Sequence, residues 1–364
     1  MSGCATDAEM RHSSEDAGRV CPADYRIGVS AFSGRPELSC DTLFVVGGLY
    51  GNCFALDALE LLIAAESGSV HVVLNGDIHW FDCLPEDFSE IERHVVSYRA
   101  LAGNVELELC RSDDIGVGCG CAYPDCTSDA VVDRSNRIHA MLGSMLTQHP
   151  ELKEPLEGRT CTAVVRVGNH RVAITHGDEK LVAGWECSRD SLQDAERQNE
   201  LSAWMRANGV SVLATTHTCA PAAVVLDAGA VINNGAAGMP NFLAALYGLV
   251  TRVGVAPSPH ALYRACVDGV FVRDAVRVDK STRDRIDGDG VFVEAVPLRY
   301  DHDAYLRWFD STWPAESPAA LSYRERIVQG PTDEVADALL GGFEVADKED
   351  TSGIGLRDTH ITSD

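Results

Sequence analysis

With 364 residues and 45% hydrophobic composition, the chain is long enough for one large domain or two smaller ones around a real buried core. Its formal charge of −25 excludes a nucleic-acid backbone or an anionic membrane as a partner held by diffuse attraction, so a phosphate ligand must be held at a local site. A bound divalent cation would meet that need, because it is the largest local positive charge a site can carry.

Met1 to Ala17 is polar, with Glu9, Glu15 and Asp16 scattered through it and no signal pattern, and residues 1–40 are expected to be largely disordered. From Asp41 a βα rhythm begins. Thr42 to Val46 reads as a strand ending in Gly47-Gly48, and Phe54 to Ala65 follows with helical periodicity. Val70 to Leu74 is the next strand, ending in Asn75-Gly76-Asp77. Glu86 to Val96 reads as a helix, and Tyr98 to Leu101 as a strand ending in Gly103-Asn104. Residues 110–158 break the rhythm with a Gly/Cys-rich loop and a helix from about Ser128 to Leu146, which suggests an insertion or cap over a site. Thr162 to Val167 and Arg171 to Thr175 form a hairpin turning at Gly168-Asn169. A helix around Leu192 to Ala207 follows, then strands at Val210 to Ala214, Ala223 to Leu226 and Ala230 to Ile232. The core is thus expected over residues 41–240, with 241–345 as a C-terminal extension packed on it and 346–364 as a disordered acidic tail. The class is α/β.

No apolar run reaches the roughly 18 uncharged residues that a membrane span needs, so a soluble cytoplasmic protein is expected, with no membrane or nucleic-acid partner. The 13 cysteines cannot all pair within one chain and read as free thiols or metal ligands.

Asp77, Asn104, His176 and His217 each follow a predicted strand. In a mostly parallel sheet the carboxyl ends of the strands line one crevice, where ligands bind. An Asp, an Asn and two His residues there make a mixed oxygen and nitrogen shell, suited to manganese, iron, zinc or cobalt rather than calcium or magnesium. Singly, each residue has an ordinary reading as turn chemistry or a satisfied polar group. Their order carries the signal.

That order resembles the calcineurin-like metallophosphoesterase superfamily. The matches are Gly76-Asp77, Gly103-Asn104-Val105-Glu106, Ile174-Thr175-His176-Gly177-Asp178 and Thr216-His217-Thr218-Cys219, with Ile232-Asn233-Asn234-Gly235 similar to a turn that follows the last motif. The first motif keeps only its frame, Val46-Gly47-Gly48-Leu49-Tyr50-Gly51-Asn52. The resemblance spans roughly residues 42 to 240 and implies a layered α/β/β/α sandwich. It also implies one complete metal site, from Asp77, Asn104, His176 and His217. Of the other site's positions, Gly48 offers no side chain, Tyr50 is a poor ligand near neutral pH, and Cys219 could bind a soft metal as thiolate. One transition metal per chain is therefore expected. The position at which the family carries its acid is Val105, which transfers no proton.

His79 lies two residues from Asp77 and would share its side of a continuing strand, so it is a candidate replacement for a lost ligand or the lost acid; the alternative is a polar residue beside Trp80, and Asp82 lies close by. Cys110, Cys119, Cys121 and Cys126 read as packed thiols or, less simply, as a thiolate donor to the depleted site. Arg134 and Arg137 on the predicted helix are candidates for reaching substrate phosphate. The expected function is a metal-dependent phosphoesterase that hydrolyses a phosphomonoester or phosphodiester through a metal-bound hydroxide, acting on a small phosphorylated substrate. The alternative is an inactive relative that binds a phosphorylated ligand or a partner protein.

Overall fold

The computed structural model describes residues 17–268 and 290–346. Residues 1–16 and nearly all of the expected tail lie outside them. The sequence offers no element before Asp41. The described part of that segment nevertheless carries a single turn at Ala23–Tyr25 and a strand, β1 (Leu38–Cys40), and it buries Tyr25 and Phe32.

The βα rhythm from Asp41 is present: β2 (Thr42–Val46), α1 (Cys53–Ala64), β3 (Val70–Asn75), α2 (Pro85–Val95) and β4 (Arg99–Leu101). A short helix unforeseen in the sequence, α3 (Asn104–Cys110), starts at Asn104, and α4 (Asp129–Gln148) is the insertion helix. There follow β5 (Thr162–Val167), β6 (His170–Thr175), α5 (Arg189–Gln193), α6 (Ala195–Asn208), β7 (Val212–Thr215), β8 (Ala222–Leu226) and β9 (Gly229–Asn233). The expected single helix near Leu192 is split at Asp194, whose carboxylate caps α6 through Glu196 N–H.

The remaining elements are β10 (Gly248–Gly254), β11 (Tyr263–Val267), β12 (Val291–Leu298), α7 (His302–Thr312), α8 (Pro318–Gln329), β13 (Leu339–Gly341) and β14 (Glu344–Val345). They do not merely lie on a finished core. Among the described residues there are two seven-stranded sheets, ordered β1-β5-β6-β7-β9-β8-β13 and β14-β11-β12-β10-β2-β3-β4. The segment 241–345 therefore supplies four strands of the second sheet and an edge of the first. Strand β10 pairs antiparallel with β2, with Arg252 opposite Phe44.

The sheets stack face to face with helices outside, in an α/β/β/α sandwich. Alternation along the strands assigns the layers, since successive side chains point to opposite faces. In β2, Leu43 and Val45 enter the core between the sheets with Val172, Ile174 and Val293, while Phe44 and Val46 pack with α1, α2, α4, α7 and α8. In β6, Ala173 faces outward with Leu201 and Met205 of α6. Strands covered on both faces lose the polar half of the usual alternation, which is why they read as continuous apolar runs. Each sheet has a run of three parallel strands, β2-β3-β4 at one end of the second and β6-β7-β9 in the middle of the first. Their carboxyl ends meet at one edge of the sandwich, where Asn75 Nδ2 donates across the sheets to Thr175 O at 2.8 Å.

A buried ion pair ties the late strands to the early ones. Arg252 on β10, 2% exposed, donates to both oxygens of Glu66 beyond α1 at 2.6 and 2.7 Å and to Glu294 on β12 at 2.6 Å. Arg252→Ala leaves Glu66 without its cation and Glu294 with only the longer Arg264 contact at 3.5 Å, and is expected to lower stability by about 3–5 kcal/mol in urea unfolding. A loss under about 1 kcal/mol would mean that β10 and β12 contribute little to the sheet's cohesion.

Candidate metal centre

The site is assembled from loops at strand ends, beginning with an unusually close approach. Gly76 follows β3 with φ 75°, and a Cβ there would lie 2.4 Å from Gly103 N; a Cβ on Gly103 would lie 2.4 Å from Asp77 Oδ1. The loops after β3 and β4 thus touch backbone to backbone. Glu106, fully buried in the first turn of α3, joins them by accepting N–H bonds from Gly103 at 2.8 Å, Asp77 at 3.0 Å and Ile78 at 2.7 Å. Asp77, at φ 50°, and His217, at φ 20°, are both in positive-φ conformations that L residues seldom adopt, a strain that clusters at functional sites.

Asp77, His176 and His217 offer ligand atoms that all lie within 4.8 Å of one another, and all three residues are buried. Asp77 Oδ2 is 3.3 Å from His176 Nε2, which is 3.2 Å from His217 Nδ1. Each imidazole is oriented from behind by a carbonyl. His176 Nδ1 donates to Asn75 O at 2.8 Å, and His217 Nε2 donates to Cys121 O at 3.1 Å. Because carbonyls only accept, these bonds place a proton on His176 Nδ1 and on His217 Nε2 and turn His176 Nε2 and His217 Nδ1 toward one another. A proton or a metal ion between those two nitrogens satisfies both. Burial pulls the His176 pKa down, but the Asp77 carboxylate outweighs it and the net shift is upward; His217 is pushed down to about 3 by burial and by His176.

Asn104 starts α3 in the adjoining loop. It is fully buried, and its Nδ2 donates to Cys119 O at 3.0 Å, which fixes the amide's orientation. Its Oδ1 is then a buried acceptor with no partner. A buried carboxylate, two imidazole lone pairs and an orphaned amide oxygen together fit a borderline divalent metal.

Other expected residues are placed differently. Cys219 Sγ lies 2.7 Å from Tyr50 Oη, and among the described residues no cysteine sulfur joins the Asp77 group. A Cβ on Gly48 would come within 2.9 Å of the Tyr50 ring and hydroxyl, so the phenol occupies the space of the missing side chain. Burial, Cys219 and Asp77 push the Tyr50 phenol well above its ordinary pKa. His79, the candidate acid, has both ring nitrogens engaged. Its Nδ1 meets Asp82 Oδ2 at 2.6 Å and its Nε2 meets Glu92 Oε1 at 2.7 Å, with the ring stacked on Phe88 at 3.7 Å. Burial would lower its pKa, but Asp82 and Glu92 outweigh that and hold it at about 9. The two carboxylates hold both nitrogens, leaving none for substrate.

The insertion lies beside the site, as its departure from a ligand-bearing loop implies. Its cysteine loop acts through backbone carbonyls, those of Cys119 and Cys121, and the described cysteines are free. Arg134 donates to Ser322 Oγ at 2.6 Å, and exposed Arg137 pairs with Asp133. A cavity of about 190 Å³ opens against Asp77 and His217, walled in part by Trp185, Tyr123 and Tyr323. This wall has no signature in the sequence, because its residues come from separate loops and α8. Glu106 did stand within a matched motif, but without an assigned role.

No protein-family model matches the sequence, nor does any curated protein. Among solved structures, the chain is similar to a hypothetical protein from Pyrococcus horikoshii OT3, with a TM-score of 0.50 and 14% identity over 81% of this chain and 100% of that one. The likeness is one of fold, a layered α/β/β/α sandwich. A metallophosphoesterase from Sphaerobacter thermophilus aligns with a TM-score of 0.45 and 12% identity, over 80% of this chain and 100% of its own. Among the described residues no helix is long and apolar enough to cross a membrane.

Glu106→Gln would place an amide donor against backbone N–H groups that now share a carboxylate. A stability loss of about 2–3 kcal/mol is expected, together with faster amide exchange at Gly103, Asp77 and Ile78. Unchanged exchange at these three amides would show that Glu106 does not join the loops.

Proposed function

We propose that this protein is a metal-dependent phosphoesterase that uses one divalent transition metal, manganese, iron or zinc, held by Asp77, Asn104, His176 and His217. The observation that carries the reading is the buried group of Asp77, His176 and His217, whose ligand atoms lie within 4.8 Å of one another, with the unpartnered Asn104 Oδ1 in the adjoining loop. Leaving such a donor set without a cation would be costly polar burial. The cation would lower the pKa of a coordinated water and neutralise charge on the phosphoryl group.

The chain's own residues do the positioning. The Asn75 and Cys121 carbonyls set the two imidazoles, Glu106 holds the Asp77 loop on the Asn104 loop, and Trp185 and Tyr123 screen His217 from bulk water. Val105, at the position of the family's acid, gives the leaving group no proton. The substrate is a small phosphorylated molecule.

One observation favours a second reading, an inactive relative that binds a phosphorylated ligand or a partner protein. The Tyr50–Cys219 contact fills the place of a second metal's ligands.

Elemental analysis is expected to find about one tightly held transition metal per chain. His176→Ala and His217→Ala should each lose it, and Tyr50→Phe should keep it; two metals per chain would refute the single-site assignment. Chelation should abolish phosphoester hydrolysis, and added manganese should restore it. Metal-loaded protein that hydrolyses nothing in a phosphoester panel would leave the binding reading in place.

A further inference from the structure

We propose that the cavity beside the metal centre receives the single aromatic ring of an aryl phosphoester, and that the phenolic oxygen leaves without help from a protein acid. The inference rests on the phosphoesterase reading and names its substrate class.

The wall comes first. Tyr50, Trp80, Tyr123, Trp185 and Tyr323 line the cavity together with Asp77 and His217. Three of these aromatics have their polar atoms engaged within the protein. Trp185 Nε1 donates to Cys121 O at 3.1 Å, Tyr123 Oη meets Ser135 Oγ at 3.0 Å, and Tyr50 Oη meets Cys219 Sγ. What they offer a ligand is ring surface. The aromatic wall also runs directly into the metal ligands: Tyr123 and Trp185 lie 6.1 Å apart between ring centroids, and Trp185 meets His217 edge to face at 5.3 Å. A group bound there is placed against the reacting centre, not remote from it.

Size narrows the class. The cavity measures about 190 Å³. Benzene fits a cavity of about 150 Å³, so one ring is accommodated.

Leaving-group chemistry points the same way. Among the described residues, His217 is the one histidine in the wall, and its free nitrogen faces His176. His79 is held by two carboxylates, and His139 Nε2 is bonded to Val105 O at 3.3 Å. The wall phenols of Tyr50, Tyr123 and Tyr323 are all raised by burial, away from the range in which an acid works near neutral pH. In the step that remains, a water oxygen forms the new bond to phosphorus as the ester P–O bond breaks. The electron pair goes to the phenolic oxygen, and the water's proton goes to solvent. The phenolate, whose conjugate acid has a pKa near 10, then takes its proton from solvent. An alkoxide is far more basic and would leave much more slowly.

The test uses full-length, manganese-loaded protein and titration calorimetry with inorganic phosphate, methylphosphonate and phenylphosphonate, none of which can be hydrolysed as an ester. Phenylphosphonate is expected to bind at least about tenfold tighter than methylphosphonate. Trp185→Ala, or Tyr123→Ala should that variant fail to fold, should bring the ratio close to one. In parallel, phenyl phosphate should be cleaved, 4-nitrophenyl phosphate faster still, and ethyl phosphate at least about a hundredfold more slowly than phenyl phosphate. A phenyl-to-methyl ratio near one, or equal rates on ethyl and phenyl phosphate, would overturn the inference. The metal-centre reading would survive that result if phosphate still binds the loaded protein and not His217→Ala. If phosphate fails to bind the loaded protein, both readings fall.

Discussion

The buried carboxylate of Glu106 sets the geometry on which the site depends. It neutralises no neighbouring cation; it accepts backbone N–H groups from two loops whose glycines let them come within van der Waals contact. Those N–H groups would otherwise be buried and unpaired, and each would cost more than an ordinary hydrogen bond contributes. One side chain thereby satisfies the turn that carries Asp77 and the start of the helix that carries Asn104. The strained φ of Asp77 persists because its surroundings over-determine it.

A second constraint reaches across the sandwich. Asn75, at the end of β3, donates to Thr175 O and to Thr216 Oγ1, while its own carbonyl orients His176. Thr216 donates onward to Asn234, whose amide reaches Gly47 O and Leu249 O. The carboxyl ends of both sheets are thus laced by a buried polar network beside Asp77, His176 and His217, in which Asn75 Oδ1 alone of the Asn75 amide atoms makes no bond. Networks of this kind hold their side chains in fixed directions.

The space beside Asp77 at the end of β2 is filled by protein atoms. Glycine at 48 makes room for the Tyr50 ring, and the phenol turns to Cys219. The result is a hydrogen-bonded, largely apolar surface continuous with Trp80, Tyr123, Trp185 and Tyr323. One edge of the sandwich therefore joins a charged corner to an aromatic one.

The sequence by itself determined the strand ends and the order of the residues on them. Strands buried on both faces must be written as apolar runs, and a chain leaving such a run must turn, so Asp77, Asn104, His176 and His217 were visible as a set. Only the tertiary structure decided where side chains beyond those turns point. His79 shares a strand-like spacing with Asp77, but the backbone turns sharply after Gly76 and hands its ring to Asp82 and Glu92. The carbonyls of Cys119 and Cys121 matter where their thiols had attracted notice, because a sequence displays side chains and conceals which backbone groups they meet. Strand β10 entered the second sheet beside β2, not as an appendage, since pairing between strands so far apart in the chain leaves no local signature. Short-range periodicity is a property of neighbours in sequence, whereas pairing, tautomer and the fit of the Tyr50 ring against Gly48 depend on neighbours in space.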